Sequence, residues 1–126
     1  MGKWCDDEVL DAAVNFLKNN STRLCVCSQH PTTYAEATIT YKLAIKTISG
    51  SDFTGPANGD ASGRKLTVNE QNGVAVDVQG DPVEIALCDS VNSKLRYTTT
   101  EGTSQILYVG NTCNIPAWDI ELADPA

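Results

Sequence analysis

The sequence predicts a mainly β fold: a small antiparallel β-sandwich or barrel with one N-terminal α-helix. Two patterns carry this prediction. Apolar residues recur at helical spacing only near the N-terminus, and short alternating segments follow at roughly 8–12-residue intervals with turn residues between them. Because the helix precedes the strands instead of alternating with them, a parallel βαβ arrangement is disfavoured. The length of 126 residues, 41% of them hydrophobic, is that of one compact domain.

The predicted helix begins at Asp6 or Asp7 and ends at Asn19. Asp6 is suited to the N-cap position, and acidic residues in the first turn favour the positive end of the helix dipole. We expect Trp4, just before the cap, to fold back onto the apolar face as a hydrophobic staple. The residues expected to line that face are Val9, Leu10, Ala13, Phe16 and Leu17.

The strands are predicted from segments in which apolar and polar residues alternate. In chain order these segments are residues 23–27, 41–48, 66–68, 74–78, 83–87, 95–97, 106–109 and 115–122. The pair Asn72-Gly73 is expected to be a turn before the fourth of them. Residues 49–63 are rich in glycine, proline, serine and aspartate and are expected to form a loop. A helical turn is an open alternative for residues 31–37.

We expect residues 1–22 to form a helical arm or a lid, and residues 23–126 to form the β-sandwich, within one compact domain. The N-terminal segment can extend to a neighbouring chain, or it can cover one open face of the sandwich. The residues expected to lie mainly in the core are Trp4, Leu10, Phe16, Leu17, Val76, Ile85, Leu87, Ile106, Trp118 and Ile120.

The chain is acidic, which limits its partners. Nine lysines and arginines against sixteen aspartates and glutamates give a formal net charge of −7. Nucleic acid is therefore not an expected partner, because phosphate binding needs a basic surface. No apolar run reaches the roughly 18–20 residues that cross a bilayer, and the N-terminus lacks the apolar run of a secretory signal, so no membrane partner is expected.

Residues with catalytic chemistry are few, and none belongs to a recognisable motif. His30 is the one histidine and precedes Pro31 in a predicted loop, where an exposed and inactive imidazole is the simplest interpretation. No Gly-x-Ser-x-Gly nucleophile turn is present. Asp119 and Glu121 are expected on the outward face of a strand and not as an acid–base pair. We therefore expect no catalytic residue, no cofactor and no enzymatic activity.

The five cysteines are unusual for a chain of this size. Cys25 and Cys27 are two residues apart in a predicted strand, so they face the same side and are poorly placed to pair with each other. A zinc site of Cys5, Cys25, Cys27 and His30 is one hypothesis, although the spacing lacks the paired motifs of structural zinc sites. A thioredoxin-type site would need Cys-x-x-Cys, which is missing from the sequence.

The favoured hypothesis for the cysteines is disulfide bonds or buried thiols. Because the count is odd, at least one cysteine stays reduced or pairs with another chain. Cys5, Cys25 and Cys27 are the foremost candidates for a bridge within or between chains. The full set of disulfide candidates is Cys5, Cys25, Cys27, Cys88 and Cys113.

Several short segments, spread over nearly the whole chain, also resemble a known group of proteins. They are Trp4-Cys5-Asp6-Asp7 with Leu10-Asp11-Ala12-Ala13, Leu24-Cys25-Val26-Cys27-Ser28, Pro31-Thr32-Thr33-Tyr34, Ser62-Gly63-Arg64-Lys65, Ile85-Ala86-Leu87-Cys88-Asp89 and Ile115-Pro116-Ala117-Trp118-Asp119-Ile120-Glu121. Together they resemble small virion-type proteins of tailed bacteriophages, chiefly those that infect alphaproteobacteria.

The resemblance implies a structural part of a phage particle, foremost a capsid decoration or cement protein. Such proteins are commonly trimers, so the implied partners are further copies of the chain and other virion proteins such as the major capsid protein. The implied location is the outer surface of the capsid, after synthesis in the host cytoplasm. No catalytic residue carries over from the group.

Two alternatives stay open beside the capsid hypothesis. One is a neck or tail component, and the other is a displayed β-sandwich that binds carbohydrate or the host surface. The net charge of −7 suits a position outside the capsid, away from packaged DNA. Trp4 and Cys5, at the start of the N-terminal arm, are the candidate contacts with a partner.

Overall fold

The computed structural model describes residues 4–100 and 106–124. Its elements in chain order are α1 (Asp7–Asn20), β1 (Arg23–Cys27), a π-helix (Glu36–Thr40), β2 (Lys42–Thr47), a 3₁₀ turn (Gly50–Asp52), β3 (Phe53–Asn58), β4 (Arg64–Val68), β5 (Gln71–Ala75), β6 (Glu84–Asp89), β7 (Lys94–Thr100), β8 (Thr112–Ile115) and β9 (Trp118–Leu122). The expected segments 1–22 and 23–126 include residues 1–3, 101–105 and 125–126, which lie outside the described residues.

The strands form two antiparallel sheets and a two-stranded ribbon. Sheet A has the order β2-β1-β6-β7, sheet B has the order β3-β4-β9, and the ribbon pairs β5 with β8. An isolated bridge between Ala44 and Val76 joins the ribbon to the edge of sheet A. The prediction of a mainly β, antiparallel fold with one N-terminal helix is confirmed.

The main core lies between the inner faces of sheets A and B. The register of β1 with β6 sets Leu24 opposite Leu87 and Val26 opposite Ile85, so these side chains share the inner face. The buried residues of this core are Val14, Leu24, Val26, Ala44, Ile48, Phe53, Leu66, Val68, Val74, Ile85, Leu87, Ile115 and Ile120. The rings of Tyr97 and Trp118 stack beside it with 5.9 Å between their centroids.

Helix α1 packs on sheet B through one narrow side. It contacts β4 most extensively and also touches β3 and β9. Val14 is the one residue of α1 that is fully buried. Asp11 accepts a 2.7 Å hydrogen bond from Nε of Arg64, and Nζ of Lys18 donates to the carbonyl of Gly55 at 3.2 Å. These two bonds fix the orientation of the helix on the sheet.

The buried side of α1 differs from the predicted one. Val14, flanked by half-buried Leu10 and Leu17, faces the sheet, whereas Val9 and Ala13 are exposed. Phe16 is also exposed, and the guanidinium carbon of Arg96 in β7 lies 4.9 Å from the centroid of its ring. The apolar positions of α1 span more than one helix face, and the observed orientation buries Val14 and pairs Asp11 with Arg64.

Three residues assigned to the core were predicted wrongly. Trp4 is 83% exposed, so the predicted staple does not form, and Phe16 and Ile106 are about half exposed. Ile106 lies in a segment where the next residue, Leu107, makes one isolated bridge with Gly80. The other assignments hold to different degrees: Val76, Ile85, Leu87 and Ile120 are buried, while Leu10, Leu17 and Trp118 are partly buried.

The predicted loop over residues 49–63 is wrong in part, because it contains β3. This strand lies at the edge of sheet B and pairs with β4 alone in that sheet. An edge strand tolerates proline, since the missing N–H can face away from the ladder, and β3 accordingly includes Pro56.

Two other boundaries also differ from prediction. Asn72-Gly73 lies inside β5 instead of forming a hairpin turn, and Gly73 adopts a φ of 68° where the register with β8 shifts. The expected last strand is divided at Pro116 into β8 and β9, which belong to different sheets.

The open question over residues 31–37 resolves into a helical turn that ends in the π-helix Glu36–Thr40. No helix within residues 4–100 and 106–124 is both long enough and apolar enough to cross a lipid bilayer.

Candidate functional site

Three of the five cysteines meet on the outer face of sheet A. The register of β1 with β6 sets Cys25 opposite Ala86 and places Cys27 and Cys88 on the same face. All three thiols are fully buried, together with Ala86 and with Ala37 from the helical turn. We refer to these five residues as the thiol cluster. The prediction that Cys25 and Cys27 face one side is therefore confirmed.

The helical turn that covers the thiol cluster begins with a Thr-x-x-Glu motif. The N–H of Glu36 donates to Oγ1 of Thr33 at 3.1 Å, and the Glu36 carboxylate accepts from the N–H of Thr32 at 2.8 Å. At the other end, the N–H of Tyr41 donates to the carbonyl of Glu36 at 2.8 Å, the five-residue span of a π-helix. The motif resembles a capping box and could have indicated the turn from sequence.

The surroundings of Cys25 and Cys27 keep these thiols protonated, which suits a packing role and not a reactive one. Burial, together with the nearby Cys88 and Glu84, raises the pKa of Cys27 to about 12. A hydrogen bond with Cys88, together with burial, raises the pKa of Cys25, and the same bond lowers the pKa of Cys88. The thiolate is the form that attacks electrophiles and binds metals, so Cys25 and Cys27 are unreactive while they stay buried and protonated.

Of the disulfide candidates, Cys25 and Cys88 lie close enough for a hydrogen bond between their thiols. Cys5 lies at the start of α1, with its thiol 3.7 Å from the carbonyl of Asp6, and Cys113 lies in β8 beside the main core. The described chain contains no disulfide among Cys5, Cys25, Cys27 and Cys88. A bridge between chains stays a prediction for the partly exposed Cys5.

The four residues of the zinc hypothesis are dispersed. Cys25 and Cys27 belong to the thiol cluster, Cys5 lies at the helix, and His30 pairs with a carboxylate of β6, with its Nδ1 3.6 Å from Oε2 of Glu84. Across residues 4–100 and 106–124, no group of three or more histidine, cysteine, aspartate or glutamate side chains is arranged to hold a metal ion.

The carboxylates singled out from sequence have structural partners. Asp119 and Glu121 point outward from β9 on either side of the buried Ile120, as expected. Asp119 accepts a 2.7 Å hydrogen bond from Thr67 on the neighbouring strand, and Glu121 accepts from the N–H of Ala61 at 3.2 Å.

Asp89 is a buried charged residue that the sequence analysis did not single out. Its carboxylate accepts bonds from the Asn92 side chain at 2.8 Å, from Arg96 at 2.9 Å and from the N–H of Val91 at 3.0 Å. The side chains of Asn92 and Arg96, with these backbone donors, hold the pKa of Asp89 far below its usual range. Opposite it, the register of β6 with β7 shifts, and the resulting bulge directs Arg96 toward both Asp89 and Phe16. The network joins the helix to sheet A.

A cavity of about 500 Å³ opens between the ribbon and the segment after residue 105. Its wall includes Val26, Val76, Pro82, Leu107 and Ile115. None of the described residues that line it is an acid, a lysine, an arginine or a histidine, so this wall offers apolar contact and neutral hydrogen-bonding groups.

The exposed side of α1 is the clearest candidate for an interaction surface. Val9, Ala12, Ala13 and Phe16 recur at intervals of three and four residues, so they form one line along the helix, and all four are exposed. Val9 is 60% exposed and Phe16 is 49% exposed. We refer to these four residues as the helix stripe. Trp4, the predicted partner contact, lies just beyond its N-terminal end.

The aromatic residues do not form an exposed platform among the residues that the structure describes. Tyr34 and Tyr41 pack against the thiol cluster, and Tyr97 packs against Trp118 beside the main core. The exposed exceptions are Tyr108 and, twelve positions apart in the N-terminal segment, Trp4 and Phe16. A carbohydrate-binding sandwich would present several such rings side by side, so this alternative gains no support.

Comparison with protein-family models, with curated proteins and with solved structures found no match to this chain. The resemblance to phage virion proteins therefore stays a prediction.

Proposed function

We propose that the chain is a non-enzymatic structural protein of a bacteriophage particle, and that it acts as a decoration or cement protein on the capsid surface. One observation carries the proposal: helix α1 buries a narrow side on sheet B and presents Trp4 and the helix stripe outward. Clustered apolar side chains on the surface of a small domain are typical of interaction sites. The segment resemblance adds the phage particle as the setting.

Other features agree with an assembly role. The two-sheet core and the salt bridge between Asp11 and Arg64 fix the helix on a stable scaffold, so its outer side is presented in one orientation. The net charge of −7 opposes adsorption to packaged DNA and favours the outside of a capsid. Trp4 and Cys5 remain the predicted contacts, with Trp4 the stronger one because a large exposed aromatic ring contributes most when it is buried by a partner.

The proposal is tested on virions of the phage that encodes the chain. We expect an antibody against the recombinant protein to detect it on purified particles, in numbers comparable to the major capsid protein, and to label the capsid surface in electron micrographs. Absence from purified particles would overturn the proposal, and labelling of the neck or tail would overturn its capsid form.

A substitution at Trp4 tests the predicted contact. When wild-type and variant proteins are added back to particles that lack the protein, Trp4→Ala should reduce binding about tenfold or more, since buried interface tryptophans typically contribute at least this much. The matched control is Ile39→Ala, which removes a similarly exposed apolar side chain, 75% exposed, from the helical turn. Equal binding of both variants would remove Trp4 from the contact.

A further inference from the structure

We infer that a second copy of this chain occupies the helix stripe, with the two α1 helices packed antiparallel about a two-fold axis near Ala12 and Ala13. This second copy would be the partner of the helix stripe, the surface on which the proposed function rests. It follows from the order of side-chain sizes along the stripe and from the distribution of charge at its two ends.

The stripe is shaped to fit a reversed copy of itself. Its small residues, Ala12 and Ala13, lie at the centre, and its larger residues, Val9 and Phe16, lie at equal distances on either side. In an antiparallel pair, Val9 faces Phe16 of the second copy, while the alanines meet at the axis and let the backbones approach closely. A parallel pair would set Phe16 against Phe16 and Val9 against Val9, leaving a gap at one end.

The ends of the stripe are also complementary when one copy is reversed. The N-terminal end carries Asp6, Asp7 and Glu8, while the exposed Lys94 begins β7 directly after the β6–β7 turn, which Ser90 joins to the C-terminal end of α1. An antiparallel arrangement brings each acidic end to the basic end of the other copy and also opposes the two helix dipoles.

Trp4 and Val91, both exposed, extend the proposed contact between the two copies beyond the helices. The N–H of Ser90 donates to Oγ1 of Thr22, just after α1, at 2.9 Å, and the two hydroxyl groups are hydrogen-bonded at 2.7 Å. These bonds bring the β6–β7 turn to the C-terminal end of the stripe. Val91 in that turn is 80% exposed, and Trp4 at the opposite end is 83% exposed. In the reversed pair, Trp4 approaches Val91 of the second copy, so the contact buries two apolar side chains that are both largely exposed in the single chain.

The area that the helix pair buries indicates how tightly the two copies bind. A helix of 14 residues is about 21 Å long, so one helix pair with its two ends buries less than the roughly 1,600 Å² of a standard stable interface. We therefore expect dissociation in the micromolar range, and on a particle the local concentration of neighbouring copies exceeds it.

The test is sedimentation velocity of the full chain from about 1 to about 200 µM, a range that brackets micromolar dissociation. We expect a reversible monomer–dimer equilibrium, and Val9→Lys should weaken it at least tenfold. Lysine is a good helix former and Val9 is exposed, so the variant should keep its fold, which circular dichroism checks. The control, Ile39→Lys, places the same charge on the helical turn and should leave the equilibrium unchanged.

Cross-linking then distinguishes antiparallel from parallel packing. Ala13 lies close to the proposed axis, so Ala13→Cys in a Cys5→Ser background should give an interchain disulfide under mild oxidation. The two Cys5 residues would be roughly 20 Å apart along the axis at a rise of 1.5 Å per residue, so the wild-type chain should not cross-link through Cys5. The thiol cluster is fully buried and does not interfere.

The outcomes separate this inference from the proposed function. A chain that is monomeric throughout, or trimeric, or a dimer unaffected by Val9→Lys, or one that cross-links through Cys5 as a parallel pair would, overturns the antiparallel pair. If such a chain still decorates particles, the proposed function stands without it. If the chain forms the predicted dimer but is missing from particles, the antiparallel pair stands and the proposed function fails.

Discussion

The two faces of sheet A are both buried, but they are filled with side chains of different size. The inner face carries leucine, isoleucine and valine, and it packs on sheet B across the roughly 10 Å that separates stacked sheets. The outer face carries Cys25, Cys27, Ala86 and Cys88, and a helical turn closes over them. The thiol of Cys27 lies 3.5 Å from the carbonyl oxygen of Ala37 in that turn.

This difference explains why so short a chain has so many cysteines. A backbone segment that lies directly on a sheet leaves space only for small side chains, and a buried cysteine behaves as a small hydrophobic residue. Three of the five cysteines are therefore accounted for by packing, without a disulfide or a metal. The inner face has the opposite requirement, because a gap between two sheets is filled only by large side chains.

Removal of a large side chain from the inner face should have the greatest effect. Leu87 is fully buried at the centre of the main core, so Leu87→Ala should lower the free energy of unfolding by about 2–5 kcal/mol through lost burial and a residual cavity. Urea denaturation measures the change. The control is Ile39→Ala at an exposed position of the helical turn, which should change the stability by less than about 0.5 kcal/mol. A loss at Leu87 as small as the control would mean that the sheets are not tightly packed there.

Insertion of a large side chain should harm the outer face instead. Ala86→Leu forces three extra carbon atoms under the helical turn, and we expect a loss of about 1–3 kcal/mol from overpacking. Ala75→Leu, at an exposed position in β5, is the control and should be close to neutral. Adding Cys25→Ala to the Ala86→Leu variant should restore part of the loss, because residues 25 and 86 are opposite each other. If Ala86→Leu is neutral, the turn does not restrict the size of the residues beneath it.

The sequence predicted part of the inner face, because that face depends on local alternation. Ile85 and Leu87 alternate in β6 and were assigned to the core, whereas Leu24 and Val26, at the same spacing in β1, were predicted as part of a strand but not as core residues. The helix, the antiparallel class and the outward position of Asp119 and Glu121 follow from patterns of the same kind.

The outer face could not be predicted in this way because its burial depends on a distant segment. Every residue of β6 is buried, yet nothing within β6 indicates that residues 34–41 cover its second face. The exposed side of α1 was mispredicted for a related reason. Phe16 is held by Arg96, which lies 80 positions later in the chain and is aimed by a bulge in β7. Contacts of such long range leave no periodic signal.

The smallest expected effect is a pH dependence of stability that comes from Cys27, because the outer face of sheet A contains thiols that can titrate and the inner face does not. Burial raises the pKa of Cys27 to about 12 from an ordinary value of 9.0, so the folded chain keeps this proton at a pH where the unfolded chain releases it. The resulting stabilisation is fully present below pH 9 and is lost progressively as the pH rises toward 12. Between about pH 8 and about pH 10 the loss from this one thiol should be about 1 kcal/mol.

Urea denaturation of the wild type and of Cys27→Ala at these two pH values measures that contribution. The variant should be less stable at the lower pH, because it loses packing under the turn, but its stability should fall less as the pH rises. Leu87→Ala, on the inner face, provides the matched control, since it removes no titrating group and should keep the pH dependence of the wild type. If all three chains lose the same amount between the two pH values, the buried thiol of Cys27 is not held protonated by the fold, and the outer face differs from the inner one in size alone.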